Sequence, residues 1–302
     1  MELRVIRYFL AVARERSITR ASFALHITQP TLSRQISELE EELGTPLFHR
    51  GKKQLQLTEA GLRFVQRAEE IIALTDRTLK EFSTKNSDIS GDVYLGCAES
   101  CGMHIIASVA RKLHKRFPGV RLNMQTAHAT TISEQLESGL IDFGFILDPV
   151  DISRFDSLHL PHRDIWGILL PQDHPLAGQT SVTPEQVAAL PLLVPYRPPV
   201  ISFLSGWLGR DLNSCDIRIR YNLIYNASLF VQCGQGCAIT LAGLVSTTPD
   251  SPFRFVPFAP QLSSQAYLIW KKVRFFNPAA QAFYLTLYQH VRKLESPPAP
   301  HS

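Results

Sequence analysis

The segment that most constrains the fold is residues 17–42, SITRASFALHITQPTLSRQISELEEE, because it predicts two helices joined by a tight turn. Ser17 is a preferred N-cap residue and predicts a first helix that runs to Leu25. Thr28 predicts the N-cap of a second helix, and Pro30 falls in its first turn, where a missing N–H costs nothing. The apolar residues of this second helix recur at helical spacing and predict one buried stripe: Leu32, Ile36, Leu39 and Leu43.

The opposite face of the second helix carries short polar side chains, which donate and accept hydrogen bonds, and the guanidinium of Arg34. Such groups suit contacts with base edges and phosphates. The acidic residues that follow, Glu38 and 40–42, would be repelled by phosphate, so the N-terminal half of the helix is expected to enter the groove. Residues 47–58 predict a short hairpin with a basic tip that would lie against DNA. The predicted DNA-binding residues are Thr28, Gln29, Pro30, Thr31, Ser33, Arg34, Ser37, Arg50, Lys52 and Lys53. Two ordinary core helices and a solvated loop are the alternative.

Residues 58–82 predict one long helix whose apolar residues recur in steps of three and four, the spacing of a two-helix seam. One DNA-binding domain makes too few base contacts for useful specificity, and a dimer that binds two half-sites makes twice as many. Specific DNA binding therefore favours pairing of this helix with that of a second copy. The predicted dimerisation residues are Val65, Ala68, Ile72 and Leu79. An ordinary helix packed on its own domain is the alternative. Small and polar residues at 82–91 then predict a hinge.

The remaining two-thirds alternate short strand-like and helix-like segments, which predicts a mostly parallel sheet covered by helices. The predicted strands are residues 92–97, 120–125, 141–146 and 268–270, and the predicted helices are residues 104–117, 132–138 and 278–294. Residues 166–170 predict the opening strand of a second α/β unit.

Composition limits the function classes. A chain of 302 residues predicts two or three domains. Its net charge is only +4, and its basic residues are concentrated in the first domain, which suits a sequence-specific DNA binder better than a general DNA coat. No segment approaches a membrane-spanning length, the start shows no signal core, and the five cysteines should be mostly reduced, so we expect a cytoplasmic protein without membrane contact.

The ten histidines show no zinc spacing, and Gly234-Gln235-Gly236 lacks the third glycine of a dinucleotide site. No metal, cofactor or catalytic residue is predicted.

The first 61 residues resemble the winged helix-turn-helix of the LysR-type transcriptional regulators. The resemblance runs through Leu3-x-x-Ile6-x-x-Phe9-Leu10-Ala11-Val12-Ala13, Ser17-Ile18-Thr19-Arg20-Ala21, Gln29-Pro30-Thr31-Leu32-Ser33-Arg34-Gln35-Ile36, Leu39-Glu40-Glu41-Glu42-Leu43-Gly44, Pro46-Leu47-Phe48-x-Arg50 and Leu57-Thr58-x-Ala60-Gly61. Thr31 and Ser22 stand where the family usually has alanine. The rest of the chain resembles the family's effector-binding module through Phe117-Pro118-Gly119-Val120, Gly139-Leu140-Ile141-Asp142, His174-Pro175-Leu176-Ala177 and Gly234-x-Gly236-Cys237-Ala238-Ile239.

The resemblance implies an α+β multidomain fold. It comprises a winged helix-turn-helix domain (residues 1–58), a linker and dimerisation helix with a hinge (59–89), and a C-terminal two-lobed α/β effector domain like a periplasmic binding protein (90–302). Lobe I would be residues 90–161 and 267–302, and lobe II residues 162–266, joined by two crossover strands. Family members form antiparallel dimers through the linker helix and commonly assemble into homotetramers, so we expect the same here.

The resemblance also places a small-molecule effector in the cleft between the lobes, near helix N-termini. The effector-binding residues it implies are Ser100, Thr130, Thr131, Pro199, Val200 and Asn226. The hydroxyl and amide residues among them are also ordinary helix caps, which is the alternative interpretation.

Three functions remain open at this point. The first is a transcription factor that binds paired DNA half-sites under control of a small molecule. The second is a thiol-based redox regulator on the same scaffold that uses Cys233 and Cys237, with Cys97 and Cys101 as a second pair. Small buried cysteines in a glycine-rich turn are the plainer explanation of the first pair. The third is an enzyme or a transport binding protein, which the missing catalytic constellation and signal sequence disfavour.

Overall fold

The computed structural model describes residues 1–49, 55–83, 89–272 and 275–295, and the chain divides into two compact units, Met1–Lys85 and Asn86–Ser302. The division falls at the predicted hinge. The long helix predicted as a separate linker belongs to the first unit.

The first unit is a helical head with a small two-stranded hairpin. Its elements are α1 (Leu3–Glu15), α2 (Ile18–Ala24), α3 (Gln29–Glu42), β1 (Phe48–His49), β2 (Gln56–Leu57) and α4 (Glu59–Ser83). Phe9 of α1 lies at the centre of its core, with its ring centroid 5.4 Å from that of Phe48 and 4.8 Å from that of Phe64. These contacts pack α1 against both the hairpin and α4.

The two predicted N-caps of the helix-turn-helix are confirmed. The Ser17 hydroxyl accepts a hydrogen bond from the Arg20 N–H, and the Thr28 hydroxyl accepts one from the Thr31 N–H. The buried stripe of α3 is one residue shorter than predicted, because the helix ends at Glu42 and Leu43, its C-cap, is 37% exposed. Beyond the last turn, helical spacing no longer determines which way a side chain points.

Glu40 differs from its acidic neighbours, since it is buried in the head. Its carboxylate accepts hydrogen bonds from the N–H groups of Leu47 (2.7 Å) and Phe48 (3.0 Å). Glu40 therefore serves the packing of the head, a role that was not predicted from the sequence. Two backbone donors at the start of the hairpin need an acceptor, and Glu40 supplies it.

A close approach joins the hairpin to α4. The Thr58 hydroxyl donates to the Pro46 carbonyl (2.7 Å) and accepts from the Gly61 N–H (2.9 Å). A Cβ on Gly61 would lie 2.1 Å from the Leu47 carbonyl oxygen, which no side chain tolerates. Glycine is therefore required here for space.

The second unit is an α/β domain built on one continuous sheet. Its strands are β3 (Gly91–Cys97), β4 (Val120–Thr126), β5 (Phe143–Leu147), β6 (Phe155–Pro171), β7 (Leu192–Pro195), β8 (Ile217–Tyr221), β9 (Cys237–Leu241), β10 (Phe253–Pro257) and β11 (Ser263–Lys271). Its helices are α5 (Met103–Arg116), α6 (Ala129–Ser138), α7 (Pro184–Ala188), α8 (Pro198–Leu208), α9 (Ile224–Gln232) and α10 (Pro278–Glu295), with a 3-10 turn at Leu212–Ser214.

The strand order is β4-β3-β5-β11-β6-β9-β7-β8, with β10 paired to β6. The outer strands β3, β4 and β5 pair in parallel, as do β7, β8 and β9, whereas β6 and β11 run antiparallel to their neighbours. The sheet therefore comprises two parallel halves joined by an antiparallel pair, which is the arrangement expected of two lobes with two crossover strands.

Residues 166–170 lie in a strand, as predicted, but that strand begins earlier, at Phe155. These residues continue β6, whose first part pairs with β11 and whose last part pairs with β9 and β10. The strand stays unbroken because it finds a pairing partner in each half of the sheet.

Candidate DNA-contacting helix and effector cavity

The predicted DNA-binding residues of α3 lie on its outer face. Thr28, Gln29, Pro30 and Thr31 are exposed at its start, and Ser33 and Ser37 are half-buried. The hydroxyls of Thr28 and Thr31 lie 2.7 Å apart, so these two side chains form one polar group at the helix N-terminus. Arg50, Lys52 and Lys53 lie outside the described residues.

Arg34 projects from the middle of α3, with its side chain 80% exposed. Its Nε donates to the Glu38 carboxylate at 2.7 Å, one turn later on the same face. The Glu38 carboxylate raises the pKa of Arg34, and the guanidinium carries its charge at any physiological pH. A base or phosphate contact by Arg34 would therefore be made in competition with Glu38.

The structure separates the predicted dimerisation residues into two groups. Ala68 is completely buried in the head's own core, and Val65 and Ile72 are half-buried against it. Only Leu79 is exposed, at 64%. The Arg7 guanidinium contacts the Asp76 carboxylate, so α1 covers this side of α4 up to that turn. Within one chain, the predicted seam is thus largely occupied by the head, as the alternative interpretation has it.

A cavity of about 100 Å³ lies between the two halves of the second unit. Its first wall comes from the ends of β3, β4 and β5, and includes Glu99 and His128. Its second wall comes from the ends of β7, β8 and β9, and includes Arg197 and Val200. Because the walls belong to different lobes, a bound molecule would touch both.

Three helices begin at this cavity. The N-cap residues of α6, α8 and α9 are His128, Arg197 and Leu223, and each lines it. None of the three side chains caps its own helix. The first N–H of α9, on Ile224, is instead bound by Glu99 from the opposite wall at 3.0 Å. Helix N-termini favour negative charge, and one of the three already holds a carboxylate.

A second contact crosses the cavity. His128 Nε2 and the Tyr196 hydroxyl are hydrogen-bonded at 2.9 Å, and their rings meet edge to face with centroids 5.3 Å apart. Burial and the nearby Arg197 lower the pKa of His128, while Glu99 opposes this shift. The imidazole is therefore neutral at neutral pH.

Sequence reasoning did not identify Arg197, which lines the cavity. Its Nε is buried and has no hydrogen-bond partner among the described residues. Burial lowers the pKa of Arg197 from its ordinary value. Glu99 and His128 lie in segments that the resemblance places at the cleft, but neither was among the predicted effector-binding residues. One feature of the sequence could have pointed to this site: neither α6 nor α8 has a Ser, Thr, Asp or Asn at its N-cap, so no side chain of the usual capping type occupies these helix starts.

Of the predicted effector-binding residues, the cavity wall includes Val200 and none of the others. The buried Ser100 hydroxyl donates to Asp164 at 2.5 Å and accepts from the Gly102 N–H at 2.8 Å. Thr130 and Thr131 follow the cavity residue Ala129 in the first turn of α6. The remaining two, Pro199 and Asn226, are exposed.

The resemblance places Pro199 and Val200 in a loop after Tyr196, and this expectation is wrong. Both lie in the first turn of α8, which begins at Pro198. The proline pair at 198 and 199 suits this turn, because the first helical positions need no N–H donor. Val200 therefore supplies the first N–H of the helix.

The cysteines do not form the predicted site. The glycine-rich sequence around Cys233 and Cys237 led us to expect the pair near a helix start, which is wrong, because Cys233 is the C-cap of α9 and Cys237 begins β9. Burial raises the pKa of Cys237 to about 11 and that of Cys97 to about 12. Burial and Asp164 also raise the pKa of Cys101. These three thiols are protonated at neutral pH, whereas thiol chemistry needs the thiolate.

In the part of the chain that the structure describes, no group of three or more His, Cys, Asp or Glu side chains is placed to hold a metal ion. None of the described helices combines the length and apolar character that a membrane crossing needs.

Comparison with known proteins agrees with both units. Residues 3–62 match the family of bacterial regulatory helix-turn-helix proteins of the lysR type, and residues 86–292 match the LysR substrate binding domain. The HTH-type transcriptional regulator BudR of Raoultella terrigena is 35% identical over 197 residues, which are 65% of this chain and 68% of that protein. The Hca operon transcriptional activator HcaR of Escherichia coli (strain K12) is 29% identical over 289 residues, covering 94% and 96%.

Among solved structures, the LysR family transcriptional regulator CbnR has a TM-score of 0.74 at 19% identity, covering 96% of this chain and 99% of that one. Full-length CbnR in complex with its target DNA has a TM-score of 0.72 at 20% identity, covering 97% and 99%. These two structures share the fold. The two family matches together span most of the sequence, and the chain therefore belongs to the LysR family of bacterial transcriptional regulators.

Proposed function

We propose that this chain binds operator DNA through α3 and that a small molecule in the cavity of the second unit controls its activity. The observation that carries the proposal is the cavity itself, whose walls come from both lobes and which three helix N-termini reach. Because its DNA partner lies in the cytoplasm, we place the protein there.

The head supports the DNA-binding part. The buried residues of α3 attach it to the core, and its exposed start presents Gln29, Thr31 and Arg34 together. Amide, hydroxyl and guanidinium groups are those that read base edges and phosphates in the major groove. CbnR, a protein of the same fold, has been solved bound to its target DNA.

The second unit supports control by an effector. Polar contacts cross between the lobes at or beside the cavity: Glu99 with the Ile224 N–H, His128 with Tyr196, the Ser100 hydroxyl and the Cys101 N–H with Asp164, and the Cys101 thiol with the Ala242 carbonyl. A ligand that binds one arrangement of the lobes more tightly than the other shifts the equilibrium toward the arrangement that it binds. Only this difference in affinity lets the ligand change DNA binding.

The active form is proposed to be a homodimer or a homotetramer, because two heads on paired half-sites multiply specificity. Among the four seam residues predicted from sequence, the exposed Leu79 best supports contact with a second copy.

Two matched arginine variants test the DNA-binding part. Arg34→Ala on α3 and Arg63→Ala on α4 each remove an exposed arginine that pairs with a glutamate four residues away, Glu38 or Glu59. The full-length protein is used to select sites from randomised DNA, and affinity for the selected site is measured by fluorescence anisotropy at several salt concentrations. We expect Arg34→Ala to weaken specific binding roughly tenfold or more and to relax the sequence preference. Arg63→Ala should bind like the parent.

Two outcomes would contradict the docking. One is the absence of any enriched DNA sequence. The other is an equal effect of the two substitutions, which would mean that α3 has no privileged contact with DNA.

A further inference from the structure

Three side chains on the exposed part of α3 form one hydrogen-bonded group. Arg34 Nε donates to Glu38 Oε1 at 2.7 Å, and Gln35 Nε2 donates to Glu38 Oε2 at 2.7 Å. The helix itself therefore holds the Glu38 carboxylate at both of its oxygens. The backbone beneath the group is fixed as well, because Leu32 and Ile36 on the opposite face of α3 are buried in the core of the head.

The contact with Glu38 uses only one edge of the Arg34 guanidinium. A guanidinium has five N–H donors, one on Nε and four on the terminal nitrogens Nη1 and Nη2. Neither terminal nitrogen of Arg34 bonds to any residue that the structure describes, and the side chain is 80% exposed. Both terminal nitrogens are therefore available to DNA, and the competition with Glu38 concerns Nε alone.

Two acceptors on DNA match a pair of terminal guanidinium nitrogens. One is a phosphate with two of its oxygens, and the other is the major-groove edge of guanine with O6 and N7. The neighbouring Glu38 carboxylate favours the second, because it would repel the charge of a phosphate, whereas O6 and N7 of guanine are neutral. The cytosine paired with that guanine also presents an N4 donor, which a carboxylate tolerates.

We propose that Glu38 positions Arg34 for recognition of one guanine: the carboxylate holds Nε, and the two terminal nitrogens donate to O6 and N7 of the base. This inference rests on the proposed DNA-binding function of α3 and names the base that Arg34 recognises. Without Glu38, the same guanidinium would sample more rotamers and would contact phosphates as readily as bases. Glu38 thus lowers the affinity for DNA of any sequence and raises the preference for one base pair.

The experiment uses the full-length protein and the DNA site that it enriches from a randomised pool. Each guanine of that site is replaced in turn by 7-deazaguanine, which lacks N7, or by inosine, which retains O6 and N7. Affinity is measured by fluorescence anisotropy, and the affinity for guanine DNA divided by that for 7-deazaguanine DNA is termed the N7 ratio. At one position we expect the parent to show an N7 ratio of roughly five or more, with little effect of inosine. In Arg34→Ala the N7 ratio at that position should fall to about one.

Three glutamate variants separate positioning from charge. Glu38→Ala should lower the N7 ratio to less than about half that of the parent, and it should raise the affinity for unrelated DNA and steepen its salt dependence, because the released guanidinium neutralises a phosphate. Glu38→Gln keeps an oxygen that can accept from Arg34 Nε, so its N7 ratio should lie between those of Glu38→Ala and the parent. Glu41→Gln removes a negative charge from an exposed position of the same helix and should keep the full N7 ratio.

A positioning role also predicts that Glu38 matters little for stability. The ion pair with Arg34 is exposed, and such pairs contribute little to the free energy of unfolding. Glu38→Ala should therefore melt within about 4 °C of the parent. A larger fall in melting temperature would indicate a structural residue and would overturn the inference.

The inference would also be overturned by an N7 ratio in Glu38→Ala equal to that of the parent, or by an equal loss in Glu41→Gln. An N7 ratio of about one at every guanine in the parent, or an enriched site without guanine, would do the same. In each of these cases, a larger effect of Arg34→Ala than of Arg63→Ala on the enriched site would leave the proposed function standing. If no DNA sequence is enriched, the proposed function fails and the inference fails with it.

Discussion

Replacing Glu40 tests whether the hairpin of the head is held to α3 by one buried carboxylate. Glu40→Ala removes the acceptor of the Leu47 and Phe48 N–H groups, which lie 2.7 and 3.0 Å from it. Hydrogen bonds to a charged acceptor contribute about 1.5–3 kcal/mol each, so the low end of that range gives about 3 kcal/mol for the pair. Glu40→Gln keeps a neutral acceptor and should cost about 1 kcal/mol.

The readout is hydrogen exchange at the amides of Leu47 and Phe48 in the full-length protein. A loss of about 3 kcal/mol corresponds to roughly a hundredfold loss of protection. Glu41→Ala is the matched control, since Glu41 is exposed on the same helix. Specific DNA affinity should fall in Glu40→Ala as well, because the hairpin loses its fixed position beside α3.

The reasoning would be refuted by equal protection of these two amides in Glu40→Ala and Glu41→Ala. It would also be refuted by Glu40→Gln behaving as badly as Glu40→Ala, because the acceptor would then not be what matters.

Three further predictions concern packing, assembly and pH. Gly61→Ala places a methyl group 2.1 Å from the Leu47 carbonyl oxygen and should destabilise the head by about 1–3 kcal/mol in thermal unfolding, whereas Gly206→Ala, with nothing within 4 Å, should not destabilise. Leu79→Lys should lower dimer affinity in analytical ultracentrifugation and with it operator affinity; an unchanged sedimentation profile would remove Leu79 from the interface. The folded pKa of His128 is lowered, so the stability it contributes is present above pH 6.5 and is lost as pH falls through the folded pKa. His128→Gln should therefore flatten the loss of stability between pH 7 and 5, and an unchanged pH profile would contradict this.

The fold of the second unit gives the cavity its shape but does not determine which ligand the cavity binds. Its outline comes from the two-lobed sheet, whereas its chemistry comes from side chains at the starts of α6 and α8. Arg197 and His128 stand where a capping residue is usual, so both helix starts remain available to a ligand. Substitutions at those two positions would alter the preferred ligand while leaving the sheet unchanged.

Local signals in the sequence were sufficient where a few neighbouring residues decide the structure. Ser17 and Thr28 cap their helices because an N-cap needs only its own side chain and an N–H three residues later. Three strands and two helices at the start of the second unit, and the last helix, were predicted for the same reason, whereas β7 to β10 and α7 to α9 were not predicted. The unbroken length of β6 was not predicted either, because its continuity depends on partners that arrive from residues 237–271.

The sequence by itself determined the helix-turn-helix, the α/β class of the second unit and the candidate recognition face of α3, all of which rest on spacing and capping within short segments. Only the tertiary structure decided which side chains share the cavity, since Glu99, His128 and Arg197 are separated by up to 98 positions in the chain and meet only where strands from both lobes end. It also decided that Ser100 bonds to Asp164, that Glu40 holds the hairpin and that Ala68 lies in the head's own core. A side chain's partner is set by distances across the fold, and no local pattern encodes those distances.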